Sequence, residues 1–174
     1  MQTSFTENQL KDKDNKTSET IIRKCVHCGM CNATCPTYGI NGEELEGPRG
    51  RIYLIKDMLE NKKPATKQIA KHIDSCLSCY SCMTTCPSGV NYMHLIDHGR
   101  NYVEETYKRP FFDRLFRNIL SFVLPRPKVF LLMALSSKII KPFSFLFPKF
   151  LKNALNLMPD KIPGKKLKEK KVYE

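Results

Sequence analysis

The chain has 174 residues and a formal net charge of +12, which allows one compact domain with appendages and favours an acidic partner protein or an anionic membrane surface. No nucleic-acid-binding motif is recognised, and the longest apolar stretch near the C-terminus, Val129 to Ser137, is well short of the ~20 residues of a membrane-spanning helix. Met1 to Thr20 holds no apolar core for a signal peptide, so we expect a chain that is kept in the reducing cytoplasm.

Residues 1–20 are polar, carry charges of both signs and show no apolar periodicity. This composition predicts a mobile polar N-terminus that docks loosely at most. Residues 21–110 contain every cysteine of the chain, and we predict that they form a separate domain.

The 8 cysteines stand in two copies of one pattern, C-x2-C-x2-C-x3-C-P. The first copy is Cys25, Cys28, Cys31 and Cys35 before Pro36, and the second is Cys76, Cys79, Cys82 and Cys86 before Pro87. This run binds [4Fe-4S] clusters in two-cluster ferredoxins, where the fourth cysteine of each run ligates the other cluster. We therefore predict two [4Fe-4S] clusters. The expected ligands are Cys25, Cys28, Cys31 and Cys86 for cluster 1, and Cys76, Cys79, Cys82 and Cys35 for cluster 2.

Other uses of the cysteines fit the spacing less well. Two zinc sites would normally split each set into two separated C-x2-C pairs rather than a run of three. A disulfide framework requires an oxidising compartment and a secretory signal. Both alternatives are therefore disfavoured.

The segments around the cysteine runs show helical periodicity. Gly47-Pro48 predicts a helix start with proline in the first turn, and residues 61–64 predict its end. Apolar residues recur at helical spacing in three sets: Ile52, Ile55 and Leu59; Ile69 and Ile73; Tyr92, Ile96, Val103 and Tyr107. No alternating strand pattern occurs, so we predict an all-α fold, with a two-cluster α-helical ferredoxin domain over residues 21–110.

Several single residues near the runs have two interpretations. Arg49 and Arg51 either lie against a cluster and stabilise its reduced form, or are solvated arginines of a first helical turn. Gly29 and Gly89 are predicted to let backbone amides approach the sulfurs. The histidines lack partners at metal spacing and are predicted to be solvated, capping or supporting residues: His27, His72, His94 and His98.

The C-terminal third is basic and rich in Phe and Leu. Residues 111–160 hold eight Lys or Arg against two Asp, and we predict a basic, apolar helical extension, followed by a Lys-rich linker over 161–174. The extension is either an amphipathic membrane-surface element or a helical connection that packs on a partner. The second is favoured because prolines interrupt any long helix: Pro125, Pro127, Pro142 and Pro148.

Five segments carry a family resemblance: Met1-Gln2-Thr3, Arg23-Lys24-Cys25-Val26-His27-Cys28-Gly29, Ala33-Thr34-Cys35-Pro36-Thr37-Tyr38, Gly47-Pro48-Arg49-Gly50-Arg51-Ile52-Tyr53-Leu54-Ile55 and Thr84-Thr85-Cys86-Pro87-Ser88-Gly89-Val90. They are similar to the glycolate oxidase iron-sulfur subunit, strongly over residues 1–110 and weakly up to residue 160. The cysteine runs are shared by a wider group. The block from Gly47 to Ile55 points more narrowly to glycolate oxidase.

The resemblance implies the electron-transfer subunit of a flavin-linked glycolate dehydrogenase. Flavin-binding glycolate oxidase subunits would oxidise glycolate to glyoxylate, and this chain would pass the electrons toward membrane quinone. We expect no flavin on this chain and no catalysis by the chain alone, because neither a glycine-rich nucleotide loop nor a catalytic constellation is recognised. The resemblance implies a cytoplasmic protein, with peripheral contact at the cytoplasmic face of the inner membrane as a further option.

The chain also departs from the family pattern. Family members continue into two cysteine-rich repeats with a C-C-G signature, whereas no cysteine follows Cys86 here. We therefore expect a truncated or split form, with a separate C-C-G repeat chain as one potential partner.

Two other functions remain as alternatives. The chain could serve a related dehydrogenase or reductase that acts on lactate, glycerol-3-phosphate or a heterodisulfide. It could also be a free-standing ferredoxin, although a diffusible carrier has no need of the Phe-rich extension. A nucleic-acid-binding iron-sulfur regulator is disfavoured because no helix-turn-helix pattern is present.

Overall fold

The computed structural model describes the backbone of residues 1–140 and the side chains of residues 1–136. The chain separates into two units, Met1–Lys108 and a second that begins at Arg109. The described part of both units is helical and contains no strand, which confirms the predicted all-α class. The rest of the predicted extension and the predicted Lys-rich linker, residues 141–174, lie outside the described residues.

Nine α-helices are present in the described residues: α1 Glu7–Leu10, α2 Lys13–Lys24, α3 Pro36–Asn41, α4 Pro48–Asn61, α5 Lys67–Asp74, α6 Ser81–Thr84, α7 Tyr92–Thr106, α8 Phe111–Val123 and α9 Pro127–Ile140. Two 3-10 turns, Met30–Thr34 and Glu44–Glu46, lie on either side of α3.

Helices α4 and α7 form the centre of the first unit. They pack on each other, and α2 and α5 pack against α7. The shared core includes the fully buried side chains of Ile55, Met58, Leu95, Ile96 and Val103. Each side chain of this kind stabilises the fold by roughly 1.5–3 kcal/mol when it leaves water.

Helix α4 begins and ends where the sequence predicts. Pro48 occupies the first turn, where its missing N–H has no partner to lose. The helix ends at Asn61 because Lys62 adopts a left-handed conformation with φ 48°. The predicted apolar stripe is confirmed, since Ile52, Ile55 and Leu59 are buried.

The first 20 residues differ from the predicted mobile segment. Residues 7–10 and 13–20 are helical, and their polar groups find backbone partners that composition cannot reveal. Gln9 is buried and donates from Nε2 to the carbonyl oxygens of Leu59 and Glu60 at 2.8 and 2.9 Å. The Met1 ammonium donates to the carbonyl oxygen of Arg23 at 3.2 Å, at the C-terminal end of α2, where a helix favours positive charge. These contacts hold the segment against α2 and α4.

The two cysteine runs meet through short helical turns. The 3-10 turn Met30–Thr34 from the first run packs against α6 from the second. The hydroxyl groups of Thr34 and Thr85 are 3.1 Å apart across this contact. Each of these residues directly precedes the last cysteine of its run, so the contact carries the end of each run toward the other.

In the second unit, α8 is amphipathic. Its apolar face is exposed and consists of Phe111, Phe112, Leu115, Phe116, Ile119, Leu120 and Phe122. Its polar face consists of Asp113, Arg114, Arg117, Asn118 and Ser121. Among the described residues no single helix is long and apolar enough to cross a membrane. Residues 111–123 and 127–136 reach that length and composition only as a pair, which is bent by 115°.

Candidate iron-sulfur centre

Each cysteine run begins with a loop of the same backbone shape. The residue before the second cysteine is left-handed in both, with φ 60° at His27 and φ 52° at Ser78. The residue after the second cysteine is left-handed too, with φ 83° at Gly29 and φ 56° at Tyr80. Such consecutive turns point backbone N–H groups inward, as in anion-binding nests. The sequence repeat is therefore also a structural repeat.

The first cavity lies at the end of α2 and is closed by the start of α4. Its sulfur-bearing residues are Cys25, Cys28 and Cys31 of the first run with Cys82 and Cys86 of the second. Three of the first run and the last of the second are the four predicted ligands of cluster 1.

The second cavity lies beside the first cysteine of the second run. Its sulfur-bearing residues are Cys76, Cys79 and Cys82 with Cys35 of the first run. These four are the predicted ligands of cluster 2. Cys82 lines both cavities, so the two sites adjoin.

The electrostatics of the thiols follow the same grouping. Burial raises the pKa of Cys31 to about 11, and the nearby Cys25, Cys86 and Cys28 raise it further. Burial raises the pKa of Cys82 to about 12, with added contributions from Cys31, Cys76, Cys35 and Cys79. Burial and the neighbouring cysteines thus disfavour the thiolate form of Cys31 and of Cys82.

The donor set fits iron-sulfur clusters. Thiolates are the ligands of [4Fe-4S] clusters, and four of them converge on each cavity. Cys28 and Cys79, at equivalent positions of the two runs, are exposed, whereas Cys25 and Cys82 are buried. Each cavity therefore has a deep side and an edge at the surface.

Of the two interpretations given for the arginines, contact with a cluster site or exposure to solvent, Arg51 follows the first. Its side chain is 1% exposed. The Nη1 group is 3.9 Å from Cys35 Sγ, and Nε donates to the carbonyl oxygen of His72 at 2.7 Å. Its Nη2 group donates to Glu46, Ser75 and Thr37 at 2.9, 2.9 and 3.1 Å. The guanidinium is fixed against the second cavity.

The carboxylate of Glu46 balances this buried cation. Burial alone would raise the pKa of Glu46, but hydrogen bonds from Ser75 and His72 and the charge of Arg51 outweigh it and lower that pKa. His72 Nδ1 is 2.8 Å from Glu46 Oε1, and its ring is buried. The prediction that His72 is solvated or capping is therefore wrong, because packing under α4 buries it.

Arg49 follows the other interpretation more closely. It lines the first cavity, but its side chain is 34% exposed and its Nε donates to Glu44. The arginine is thus a partly solvated ion pair at the rim of the cavity.

Two residues that the sequence analysis did not single out as cluster contacts interact with cysteines of the second run, and one of them, Tyr92, lines both cavities. Tyr92 is 4% exposed, and its hydroxyl donates to Cys76 Sγ at 3.6 Å. Hydrogen bonds from the backbone N–H and the side chain of Ser81 lower the pKa of the Cys79 thiol. Tyr92 was recognisable as part of a helical stripe, but nothing in the sequence indicated that its hydroxyl points toward a sulfur.

His27 lines the first cavity, whereas Gly89 and His98 line neither cysteine cavity. Gly89 adopts φ 60°, as a predicted turn requires. His27 is exposed. His98 is partly buried, with Nδ1 2.7 Å from Ser18 Oγ, and burial lowers the pKa of its imidazole.

The comparisons with known proteins agree with this geometry. The family model for a 4Fe-4S dicluster domain matches residues 21–90. The chain is 48% identical over 143 residues to the glycolate oxidase iron-sulfur subunit of Escherichia coli (strain K12), covering 82% of this chain and 35% of that protein. It is 32% identical over 117 residues to the probable glycolate oxidase iron-sulfur subunit of Bacillus subtilis (strain 168), covering 64% of this chain and 26% of that protein.

A more distant relative serves another oxidoreductase. The chain is 28% identical over 76 residues to the succinate dehydrogenase iron-sulfur subunit of Paracoccus denitrificans, covering 40% of this chain and 29% of that protein. No solved structure matches the chain. The chain spans about a third or less of the length of these curated relatives. Residues 21–90 are a 4Fe-4S dicluster domain, and the chain that contains them is an iron-sulfur relative of the glycolate oxidase iron-sulfur subunits.

Proposed function

We propose that this chain is the electron-transfer iron-sulfur subunit of a flavin-linked glycolate oxidase. It would hold two [4Fe-4S] clusters and pass electrons from the oxidation of glycolate to glyoxylate toward membrane quinone. The observation that carries the proposal is the pair of adjoining cavities, lined by five and four cysteines, in a chain that is 48% identical to a glycolate oxidase iron-sulfur subunit.

The proposed ligands are crossed between the two runs. Cluster 1 is assigned to Cys25, Cys28, Cys31 and Cys86, and cluster 2 to Cys76, Cys79, Cys82 and Cys35. The linings of the two cavities support this assignment. Each cluster, when bound, supplies one-electron storage. The thiolates hold it in a closed shell, and the buried side chains exclude water from its inner side.

The surface edges of the two cavities support a relay. Cys28 and Cys79 are exposed, so each site reaches solvent or a docked partner at one edge. Val26 and Leu77, one residue after the first cysteine of each run, are 68% and 67% exposed. Apolar, exposed residues beside a cofactor suit contact with another subunit.

The proposed partners are flavin-binding glycolate oxidase subunits. We also propose a cytoplasmic location with peripheral contact at the inner membrane. The exposed apolar face of α8, bordered by Arg114 and Arg117, supports that contact.

The function is tested by anaerobic mixing of the iron-sulfur chain, its flavin subunits and glycolate. The cluster absorption should bleach, whereas the chain alone should leave glycolate unchanged. A Cys79→Ser variant should stop electron transfer to quinone while the flavin is still reduced, because the interruption follows the flavin.

Three outcomes separate the parts of this proposal. If lactate or glycerol-3-phosphate reduces the clusters and glycolate does not, the substrate assignment is wrong and the electron-transfer role remains. Oxidation of glycolate by the isolated chain would overturn the electron-transfer role. Stoichiometric zinc without sulfide in an anaerobic preparation would contradict the assignment of [4Fe-4S] clusters.

A further inference from the structure

The two cysteine cavities are unequal in their hydrogen bonding, and this inequality has a functional consequence. The inference drawn from this inequality rests on the proposed pair of clusters with crossed ligands. Around the second cavity, side-chain donors reach two of the four sulfurs: Arg51 Nη1 lies 3.9 Å from Cys35 Sγ, and the Tyr92 hydroxyl lies 3.6 Å from Cys76 Sγ.

Arg51 is held so that its positive end faces the sulfur. Glu46 accepts a hydrogen bond from Nη2 at 2.9 Å, while Nη1 lies 3.9 Å from Cys35 Sγ. The guanidinium is therefore held beside the sulfur by its own ion pair, while the backbone carbonyl oxygen of Glu46 lies 3.6 Å from the same sulfur. Because both side chains are almost fully buried, solvent screens this ion pair little.

Tyr92 is a fixed neutral donor. Its hydroxyl donates to Cys76 Sγ at 3.6 Å, and its side chain is only 4% exposed. A protonated phenol near a thiolate can only donate to it. The phenol is held in place because its ring belongs to the hydrophobic core.

The first cavity differs in its side-chain donors, although the backbone N–H of Cys31 donates a hydrogen bond to its own sulfur. Cys31 Sγ lies 4.0 Å from Oδ1 of Asn32, which is an acceptor. The amide cannot turn its donor inward, because Nδ2 of Asn32 donates to both carboxylate oxygens of Glu44 at 3.2 and 3.1 Å. Among the described residues, no side-chain donor is recorded within hydrogen-bond distance of the other three sulfurs of that site.

Arg49, the cation at the first cavity, stabilises negative charge there less than Arg51 does at the second cavity. Arg49 lines that cavity, but it is paired with Glu44 and is 34% exposed. At one distance, a charge acts about fourfold less strongly at an effective dielectric constant of ~80 than at ~20. The exposed pair therefore offsets little of the difference between the two sites.

We propose that Arg51 and Tyr92 raise the reduction potential of cluster 2, held by Cys35, Cys76, Cys79 and Cys82, above that of cluster 1. Reduction adds one negative charge to a cluster, and hydrogen bonds or positive charge at the sulfurs stabilise that charge. The first electron supplied is therefore held at cluster 2. In the relay, oxidation of reduced cluster 1 is coupled to reduction of cluster 2, with one electron transferred. Cluster 1 thus faces the donor and cluster 2 faces the acceptor.

The experiment is a redox titration of the full chain with dithionite as the reductant, purified anaerobically and followed by electron paramagnetic resonance. We expect two separate one-electron steps in the wild type. Tyr92→Phe should shift the higher-potential step downward and leave the lower step in place. Tyr102→Phe removes a hydroxyl from the same helix, α7, away from both cavities, and should change neither step.

A second pair of variants tests the arginine. Arg51→Lys keeps the charge, loses the fixed fork of donors, and should shift the higher step downward. Arg49→Gln should leave the higher step in place. These potentials report an electronic role, because a merely structural role for Tyr92 or Arg51 would lower stability without moving one step selectively.

The results that overturn the inference differ from those that overturn the proposed function. A single unresolved step, or a Tyr92→Phe shift confined to the lower step or absent from both, overturns the inference alone when iron and sulfide still count two clusters. Fewer than two clusters in the same preparation overturns both.

Discussion

Cys35 and Cys86 are the last cysteines of their runs, and each lines a cavity with the first three cysteines of the other run. The cause is local. Each directly follows a threonine at the contact between the 3-10 turn Met30–Thr34 and α6, and the proline behind it directs the chain away. A cysteine's position in its run therefore decides which site it serves.

Crossed ligation predicts which variants share a phenotype. Cys86→Ser should alter the same cluster signal as Cys25→Ser, although the two residues belong to different runs. Cys35→Ser should instead match Cys76→Ser. Electron paramagnetic resonance of the four dithionite-reduced variants, with iron counted in each, provides the measurement. The assignment fails if Cys86→Ser shares its signature with Cys76→Ser.

At this scale the sequence predicted which cysteines line each cavity, but not the other residues around them. The spacing of the cysteines is enough to group them, because the geometry of the run is local. The roles of Arg49 and Arg51 could not be separated, since they differ only in burial, which depends on packing against α5 and the 3-10 turn Glu44–Glu46. The burial of His72 was missed for the same reason.

At the scale of elements, α4 lies closely against the 3-10 turn Glu44–Glu46. A Cβ atom added to Gly50 would collide with the carbonyl group of Glu44 and the backbone of Leu45. Because that obstacle is backbone rather than the end of a flexible side chain, the turn would have to move. The turn carries Glu46, the partner of Arg51.

We therefore expect Gly50→Ala to destabilise the domain by about 1–3 kcal/mol, as overpacking does. Gly39→Ala is the matched control. Gly39 is also helical, and nothing lies within 4 Å of its added Cβ, so that change should be neutral or stabilising by about 0.5–1 kcal/mol. Denaturant unfolding of the holo-proteins under anaerobic conditions measures both. Equal stability of the two variants would contradict the close contact.

The helices that the sequence predicted well are those with an apolar stripe and a proline or capping residue at the start. Helix α4 is one, and α7 is another, with Asn91 accepting from the backbone N–H of His94. Helix α1 was missed because it is short and polar, and it is held by Gln9 reaching the C-terminal end of α4. Such a contact depends on the tertiary fold, so periodicity does not reveal it.

At the scale of the whole molecule, the cysteine cavities connect elements that are distant in sequence. The first cavity brings residues next to α2, α4 and α6 together, and the second joins residues next to α3, α5 and α6. Several of these helices are short, so they have little stability of their own. Metal bound at such a junction contributes directly to folding.

Removal of iron by a chelator should therefore lower the helical circular dichroism and the melting temperature of the full chain. Restoring iron and sulfide should recover both. The measurement is a far-ultraviolet spectrum and a thermal scan before chelation, after chelation and after reconstitution, with about eight iron atoms per chain expected in the first and last samples. An apo-protein with unchanged helicity and melting temperature would contradict this role.

The crossed lining of the cavities also has a consequence for biosynthesis. A ribosome that has synthesised only the first run has produced three of the four sulfurs of one site and a single sulfur, Cys35, of the other. The site of Cys35 cannot close until Cys82 has left the exit tunnel, and the site of Cys25, Cys28 and Cys31 cannot close until Cys86 has left it. Assembly factors that deliver clusters would therefore meet an open, oxygen-sensitive nascent chain first, and insertion would follow translation of both runs in one concerted maturation step.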